Sequence, residues 1–155
     1  MKNLLLLLFV PFISFSQTFK DIMSINSVDM FKKVAIENGY EYYGVIEDVT
    51  VSYGLNISRD SIEGDKASKW MKYKLTDDSF GFQLARTNFF EIFDPKNPYD
   101  LIVKNIKQKC KYYKIINYNG TDYVTYSCSE SSYKGKIGFV VSDGVGLIRH
   151  FPITK

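Results

Sequence analysis

Residues 111–128 read KYYKIINYNGTDYVTYSC. Two runs rich in tyrosine, isoleucine, valine and threonine, residues that favour strands, flank the dipeptide Asn119-Gly120. Asn-Gly between such runs is the strongest short-range signal for a two-residue hairpin turn, because both turn positions need a positive φ. The stretch therefore predicts an antiparallel hairpin in which Tyr118 opposes Thr121 and Ile115 opposes Val124.

This register divides the hairpin into two faces. One face carries Tyr113, Ile115, Val124, Tyr126 and Cys128; the other carries Tyr112, Lys114, Ile116, Tyr118, Tyr123 and Thr125. The first face is more uniformly apolar, so we expect it to cover a helix. Cys128 then opposes Lys111 and lies beside Cys110, which predicts a disulfide between the two cysteines; two buried free thiols are the alternative.

The hairpin also repeats an earlier part of the chain. At an offset of 70, Tyr42-Tyr43 falls on Tyr112-Tyr113, Val45-Ile46 on Ile115-Ile116, and Tyr53 on Tyr123. At an offset of 65, residues 78–82 match residues 143–147. Self-similarity of this kind predicts that one structural unit occurs twice.

Helix-capping and turn residues predict the same order of elements in each half: a helix followed by two hairpins. Ser27 is placed to cap the first helix and Gly39 to end it. Pro98 suits the first position of the second helix. The sequence predicts an α+β fold of two tandem helix-plus-antiparallel-four-strand units, residues 17–88 and 89–155, whose sheets are either separate or merged into one curved sheet.

The N-terminal residues predict export. Lys2 precedes an apolar run at residues 4–10, and Ser14 and Ser16 are small residues before Gln17, the pattern of a signal peptide over residues 1–16 that is cleaved. An uncleaved anchor is the alternative, but the run is shorter than the roughly 20 residues that span a bilayer. We expect a secreted protein, periplasmic or extracellular, without stable membrane insertion, in a compartment where disulfides persist.

Aromatic content identifies the candidate binding surface. The chain has 12 Tyr and 12 Phe, and tyrosine provides a large amphipathic contact area at low entropic cost. In each repeated pair we expect Tyr43 and Tyr113 to point to the core and Tyr42 and Tyr112 to point away. The predicted surface comprises Tyr42, Ile46, Tyr53, Trp70, Tyr112, Ile116, Tyr118 and Tyr123. Burial of both sheet faces is the alternative.

Recognisable catalytic patterns are missing from the sequence. His150 is the single histidine, no set of residues has metal-ligand spacing, and no glycine-rich nucleotide motif occurs. We therefore predict no catalytic residue, metal or cofactor, and disfavour an enzyme. Residues 17–88 carry a net charge of 9 − 11 = −2 and residues 89–155 a net charge of 10 − 6 = +4, which is too mild to predict a nucleic-acid partner.

These features favour a small exported protein that recognises another exported protein, as an inhibitor or an envelope interaction module. The predicted architecture resembles that of β-lactamase inhibitory proteins, in which tandem helix-plus-sheet units present a concave, aromatic-rich sheet to a target enzyme. The resemblance is one of element order, carried by no sequence motif, and implies no particular target. The alternatives are a small-ligand-binding protein or small exported enzyme with a cavity between helices and sheet, and a structural envelope component.

Overall fold

The structure, a computed structural model, describes residues 17–60, 64–76, 78–85 and 97–152. The predicted export signal, residues 1–16, lies outside these ranges, as does most of the predicted link between the two halves, residues 88–97. None of the helices in the described ranges is both long and apolar enough to span a membrane.

Three helices form where the sequence supplies caps: α1 (Phe19–Ser24), α2 (Val28–Glu37) and α3 (Pro98–Lys109). The Ser27 side chain accepts a hydrogen bond from the Met30 backbone N–H at the start of α2. Gly39 follows the end of α2 with a φ of 76°, a conformation that glycine adopts at little cost. The predicted helix-terminal roles of Ser27, Gly39 and Pro98 are confirmed.

Eight strands form one antiparallel sheet in the order β1-β2-β3-β4-β8-β7-β6-β5. They are β1 (Glu41–Ile46), β2 (Thr50–Leu55), β3 (Lys69–Lys74), β4 (Ser79–Ala85), β5 (Lys111–Tyr118), β6 (Thr121–Ser127), β7 (Gly135–Ser142) and β8 (Val145–Pro152). The α+β class is confirmed. Because β4 pairs with β8, the strands of both halves belong to one continuous sheet; the division into two tandem helix-plus-four-strand units stays a prediction.

The helices pack on one face of this sheet. The Phe31 ring of α2 lies 6.1 Å from the ring of Tyr53 and 5.3 Å from that of Tyr73. On α3, Tyr99 packs against Gly146, where an added Cβ would come within 2.3 Å of the ring. We call this the helix face. Phe80, Phe82 and Leu84 of β4 are buried on it, whereas Leu75, just beyond the end of β3, is 45% exposed.

The turn of the β5–β6 hairpin is confirmed, but its register changes farther along. Asn119 and Gly120 have φ angles of 49° and 78°, and the pairs from Tyr118↔Thr121 to Ile115↔Val124 are those predicted. A bulge between Tyr112 and Ile115 then shifts the partners by one residue, so that Tyr112 pairs with Tyr126. The predicted pair of Lys111 with Cys128 is therefore wrong, because Lys111 pairs with Ser127.

The disulfide between Cys110 and Cys128 is confirmed, with an S–S distance of 2.08 Å. Cys110 caps the C-terminal end of α3, and Cys128 directly follows β6. The bulge moves Cys128 by one position relative to Lys111, but the two Cα atoms are still only 4.4 Å apart. The bridge joins α3 to the sheet beside the hairpin.

Candidate binding face

The sheet face opposite the helix face is here called the outer face. Alternation along each strand fixes its members: Ile46 on β1, Trp70 and Lys72 on β3, Ile116 and Tyr118 on β5, Tyr123 on β6, and Arg149 and Phe151 on β8. The three helices of the described ranges all pack on the other side. A layer of α+β sheet that helices leave uncovered is a natural place for a binding surface.

The outer face is concave. Ile46 of β1 and Tyr118 of β5 line the same pocket of 320 Å³, although these strands are the two edges of the eight-stranded sheet. In a flat sheet, seven interstrand spacings would separate them by roughly 34 Å. A smaller hollow of 110 Å³ likewise joins Trp70 of β3 to Tyr123 of β6. The sheet therefore curls around its outer face.

Two aromatic clusters line this concavity. At one end the Tyr43 and Trp70 rings meet edge to face at 5.1 Å. At the other end, the Phe151 ring lies 5.3 Å from that of Tyr123 and 6.0 Å from that of Tyr118. Aromatic rings in contact with one another form a preordered apolar surface, because little side-chain freedom remains to be lost on binding.

Cations accompany both clusters. The Lys72 ammonium lies 5.9 Å from the Trp70 ring centroid. The Arg149 guanidinium carbon lies 3.8 Å from the centroid of Tyr118, and its terminal nitrogen donates a hydrogen bond of 2.8 Å to the Ser79 hydroxyl. Tryptophan, tyrosine and arginine are the residue types that dominate the energetics of protein interfaces.

The floor between the clusters is made of small residues. Gly81 of β4 and Gly138 of β7 are the two neighbours of Arg149 across the sheet. An added Cβ on Gly138 would come within 2.7 Å of the Phe151 ring, so Phe151 lies directly over this glycine. Gly81 therefore leaves space beside Arg149, whereas Gly138 is buried under the Phe151 ring.

Bulges reverse the predicted orientation of the repeated tyrosine pairs. In β1 a bulge lies between Tyr42 and Gly44, and Tyr42 pairs with Tyr53 on the helix face at a ring distance of 5.5 Å. In β5 the bulge brings Tyr112 to 5.8 Å from Tyr126 on the same face. The extra residue of each bulge sends the second tyrosine of each pair, Tyr43 and Tyr113, to the outer face, where Tyr113 lies under the Lys136 ammonium at 4.6 Å. The predicted directions of both pairs are wrong.

The eight predicted surface residues are thus divided between the two faces. Five lie together on the outer face: Ile46, Trp70, Ile116, Tyr118 and Tyr123. Tyr53 is buried against Phe31, and Tyr42 and Tyr112 are more than half exposed at the edges of the helix face. The structure thus brings five of the eight residues together on one face, and a binding role for any of the eight stays a prediction.

Arg149 and Phe151 are outer-face residues that the sequence analysis missed. A signal for them exists, because the Asp143-Gly144 turn starts β8 and the alternation from Val145 leads through Leu147 and Arg149 to Phe151. Ile148 is apolar and would be assigned to the core. Because side chains alternate along a strand, Arg149 and Phe151 would then be assigned to the opposite face.

Two tyrosines of the outer face have a raised pKa. Burial raises the pKa of Tyr123, with a smaller opposing effect of Arg149. A hydrogen bond to the Asp65 carboxylate raises the pKa of Tyr43. His150 lies on the helix face, stacked on Phe80 at 4.1 Å and 1% exposed, and burial lowers its pKa to about 3. In the described part of the chain, no group of three or more His, Cys, Asp or Glu residues could hold a metal ion.

A second concavity lies on the helix face. A groove of 680 Å³ runs between α3 and strands β6 and β7, lined by Tyr99, Val103, Lys107, Val124, Phe139 and Val141, among others. Within the groove lining, the Lys107 ammonium lies 5.5 Å from the centroid of the Phe139 ring. The volume lies within the range of small-molecule sites.

Comparisons with protein-family models, with curated proteins and with solved structures give no match. The resemblance to β-lactamase inhibitory proteins accordingly stays a prediction from element order.

Proposed function

We propose that the protein is a small exported binding protein that recognises another exported protein through its outer face, as an inhibitor or an envelope interaction module. The observation that carries the proposal is the concavity of this face, in which residues from both edges of the sheet line one pocket. A concave, partly apolar sheet presents more contact area to a protruding segment of a partner than a flat one does, and its aromatic and arginine residues supply anchors.

The proposed contact residues are Ile46, Trp70, Ile116, Tyr118 and Arg149. Tyr123 and Phe151 belong to the same surface but are buried; Phe151 contacts the rings of both Tyr118 and Tyr123 and so holds the Tyr118 ring in place. Trp70 and Tyr118 are half-buried, so each ring is held by neighbours and still offers surface to a partner. Export is supported by the Cys110–Cys128 disulfide, since such bonds persist in oxidising compartments, and by the signal-peptide pattern of residues 1–16.

We also infer that the two halves are copies of one unit, 17–88 and 89–155. Support comes from the strand order, which runs outward from the β4–β8 pair in the same sequence on both sides, and from the bulge at the tyrosine pair of each edge strand. Two such units joined side by side would produce a curved sheet whose two halves contact a partner from opposite sides.

Affinity capture tests the proposal. The protein, expressed as its full chain in an export-competent host and immobilised, is exposed to envelope and culture-fluid proteins of its source organism. We expect one protein to be retained stoichiometrically, and Trp70→Ala and Tyr118→Ala each to weaken its binding by about tenfold or more, as for interface hot spots.

Tyr112→Ala is the matched control. Tyr112 is 55% exposed, is also tyrosine on an edge strand, and lies on the helix face, so its removal should leave capture unchanged. Loss of capture in Tyr112→Ala with retention in Trp70→Ala would move the binding site to the other face and contradict the proposal. Thermal unfolding of each variant separates loss of contact from loss of fold.

One observation favours the alternative, a small-ligand carrier: the 680 Å³ groove beside α3. Native mass spectrometry of the purified protein tests it. A bound mass that disappears in Val103→Trp, where the larger side chain fills the groove, would support carriage of a small apolar ligand. Trp70→Ala should not affect such a ligand, because Trp70 lies on the opposite face.

A further inference from the structure

We propose that the partner of the outer face inserts an acidic side chain, an aspartate or glutamate of a protruding loop, into the pocket between Ile46 and Tyr118, where it pairs with Arg149 and Lys72. The inference rests on the proposed function, protein recognition by this face, and adds the chemistry of the partner at one defined point.

The charge of the outer face points to an acidic partner. Strand alternation places basic side chains from four strands on this face: Lys72, Lys74, Lys111, Lys136 and Arg149. Opposing negative charges among the described residues include Glu41 on β1, Glu47 at the pocket and Asp65, which is hydrogen-bonded to Tyr43. Complementary charge across an interface accelerates association and excludes partners of like charge, so a surface with this excess of cations selects an acidic region.

Three of these cations converge in one place. Lys72, Lys74 and Arg149 all line the 320 Å³ pocket, together with the hydroxyl-bearing residues Thr50 and Ser79. Glu47 is the carboxylate among the lining residues and lies in the β1–β2 turn at its border. The pocket therefore combines a positive potential with hydroxyl groups in a volume large enough to admit an acidic side chain.

Arg149 is prepared for a carboxylate before any partner binds. Tyr118 stacks on one side of its guanidinium at 3.8 Å, and the hydrogen bond to Ser79 fixes one terminal nitrogen. A guanidinium is a planar fork that binds a carboxylate with two parallel hydrogen bonds, and holding it in place lowers the entropy that such a contact costs.

Ile46 and Tyr118 provide apolar surroundings for a carboxylate that enters the pocket. They form opposite walls of the pocket, and the Trp70 ring lies next to Lys72. An acidic side chain would be desolvated between these walls, which strengthens its attraction to Arg149. The site therefore favours an acidic residue with apolar neighbours over a fully hydrated anion.

Nuclear magnetic resonance titration of the isotopically labelled protein, expressed as its full chain, tests the inference with defined probes. The probes are a capped hexaglutamate peptide, a capped hexaglutamine peptide and inorganic phosphate. We expect hexaglutamate to shift the signals of Arg149, Lys72, Ser79 and Tyr118 in a salt-sensitive manner, and hexaglutamine to leave them unchanged.

Variants make the test specific. Arg149→Gln and Lys72→Gln should each weaken hexaglutamate binding by about tenfold or more, the scale for one partner of a close charge pair. Lys136→Gln is the matched control, because it removes a cation from the same face outside the pocket. If Arg149→Gln disturbs the fold, Arg149→Lys keeps the charge but loses the planar fork, and should still bind several-fold more weakly.

Equal shifts with hexaglutamate and hexaglutamine would overturn the inference, and so would binding of phosphate without binding of hexaglutamate, which would identify a small-anion site. Failure of the proposed function looks different. If hexaglutamate binds the pocket but Trp70→Ala leaves capture of the exported partner intact, the function proposed for the outer face is contradicted. If Trp70→Ala abolishes capture but hexaglutamate does not bind, the inferred insertion of an acidic side chain is contradicted and the proposed function of the face is retained.

Discussion

The Arg149 guanidinium carbon lies 3.8 Å from the centroid of the Tyr118 ring. These residues belong to β8 and β5, which are separated in the sheet by β7 and β6. Side chains three strands apart can stack only where the sheet curls, so this single contact reports the concavity of the outer face. Tyr118 both closes one wall of the pocket and holds the arginine in it.

Replacing Tyr118 should therefore release Arg149. Tyr118→Leu removes a cation–π contact of a partly buried pair, and we expect a loss of about 1 kcal/mol in the free energy of unfolding. The Arg149 Nε–H should exchange with solvent faster, as measured by nuclear magnetic resonance. Tyr118→Phe keeps the ring and should match the wild type in both measurements; equal exchange rates in all three proteins would contradict the contact.

The glycine floor of the outer face gives a second prediction. An added Cβ on Gly138 would lie 2.7 Å from Phe151 Cε2 and 2.9 Å from Thr125 Cγ2. Gly138→Ala must displace the Phe151 ring, and we expect destabilisation of about 1–3 kcal/mol, the usual cost of overpacking, in urea unfolding.

Gly81→Ala is the control for Gly138→Ala. Gly81 also lies on the outer face beside Arg149, but its added Cβ would meet no heavy atom closer than 3.4 Å. An alanine with room in a strand reduces the freedom of the unfolded chain, so we expect a small gain of about 0.4–1 kcal/mol. A similar loss in both variants would show that Phe151 does not cover Gly138.

Local signals in the sequence predicted the elements well. Ser27, Gly39, Pro98 and the dipeptide Asn119-Gly120 each act within a few residues of themselves, through a cap or a positive φ, and the structure has each where expected. The β4–β8 pair, which merges the halves into one sheet, joins residues far apart in the chain. No turn residue specifies such a pair, so both separate and merged sheets were compatible with the sequence.

The bulges explain why the candidate surface was only partly predicted. A turn fixes register until an extra residue intervenes, and beyond that residue every side chain changes face. In β1 a signal existed, because Gly44 interrupts the strand with a φ of 151°, and an isolated glycine in a strand often marks a bulge. In β5 the equivalent position holds Lys114, so no glycine indicates the bulge that exchanges the faces of Tyr112 and Tyr113.

The Cys110–Cys128 disulfide should be a major contributor to stability. It closes a loop with a sequence separation of 18, for which loss of chain entropy in the unfolded state gives about 3 kcal/mol. Cys110→Ser with Cys128→Ser should lower the free energy of unfolding by about that amount, measured by urea unfolding without reductant. Dithiothreitol should weaken the wild type to the same extent and leave the double variant unchanged; a wild type indifferent to reductant would contradict the expected role.

The buried His150 should make stability depend on pH in a defined window. Its ring stacks on Phe80 at 4.1 Å and meets Tyr133 edge to face at 5.0 Å. Burial lowers its pKa to about 3, whereas in the unfolded chain it should titrate near its ordinary value of about 6.5. Between these values only the unfolded state binds the proton, so stability is full above about pH 6.5 and falls as the pH is lowered. From pH 7 to pH 5 the free energy of unfolding should drop by about 2 kcal/mol.

His150→Phe keeps a ring in contact with Phe80 and Tyr133 and removes the titrating group. Since His150 is the single histidine of the chain, and carboxyl groups titrate mainly below this window, the variant should show an almost flat free energy of unfolding between pH 7 and pH 5. Any general cost of the larger ring would shift the whole curve without changing its slope, so the slope is the informative quantity. A variant that loses stability as steeply as the wild type would mean that the His150 ring can accept its proton in the folded protein, which contradicts its burial.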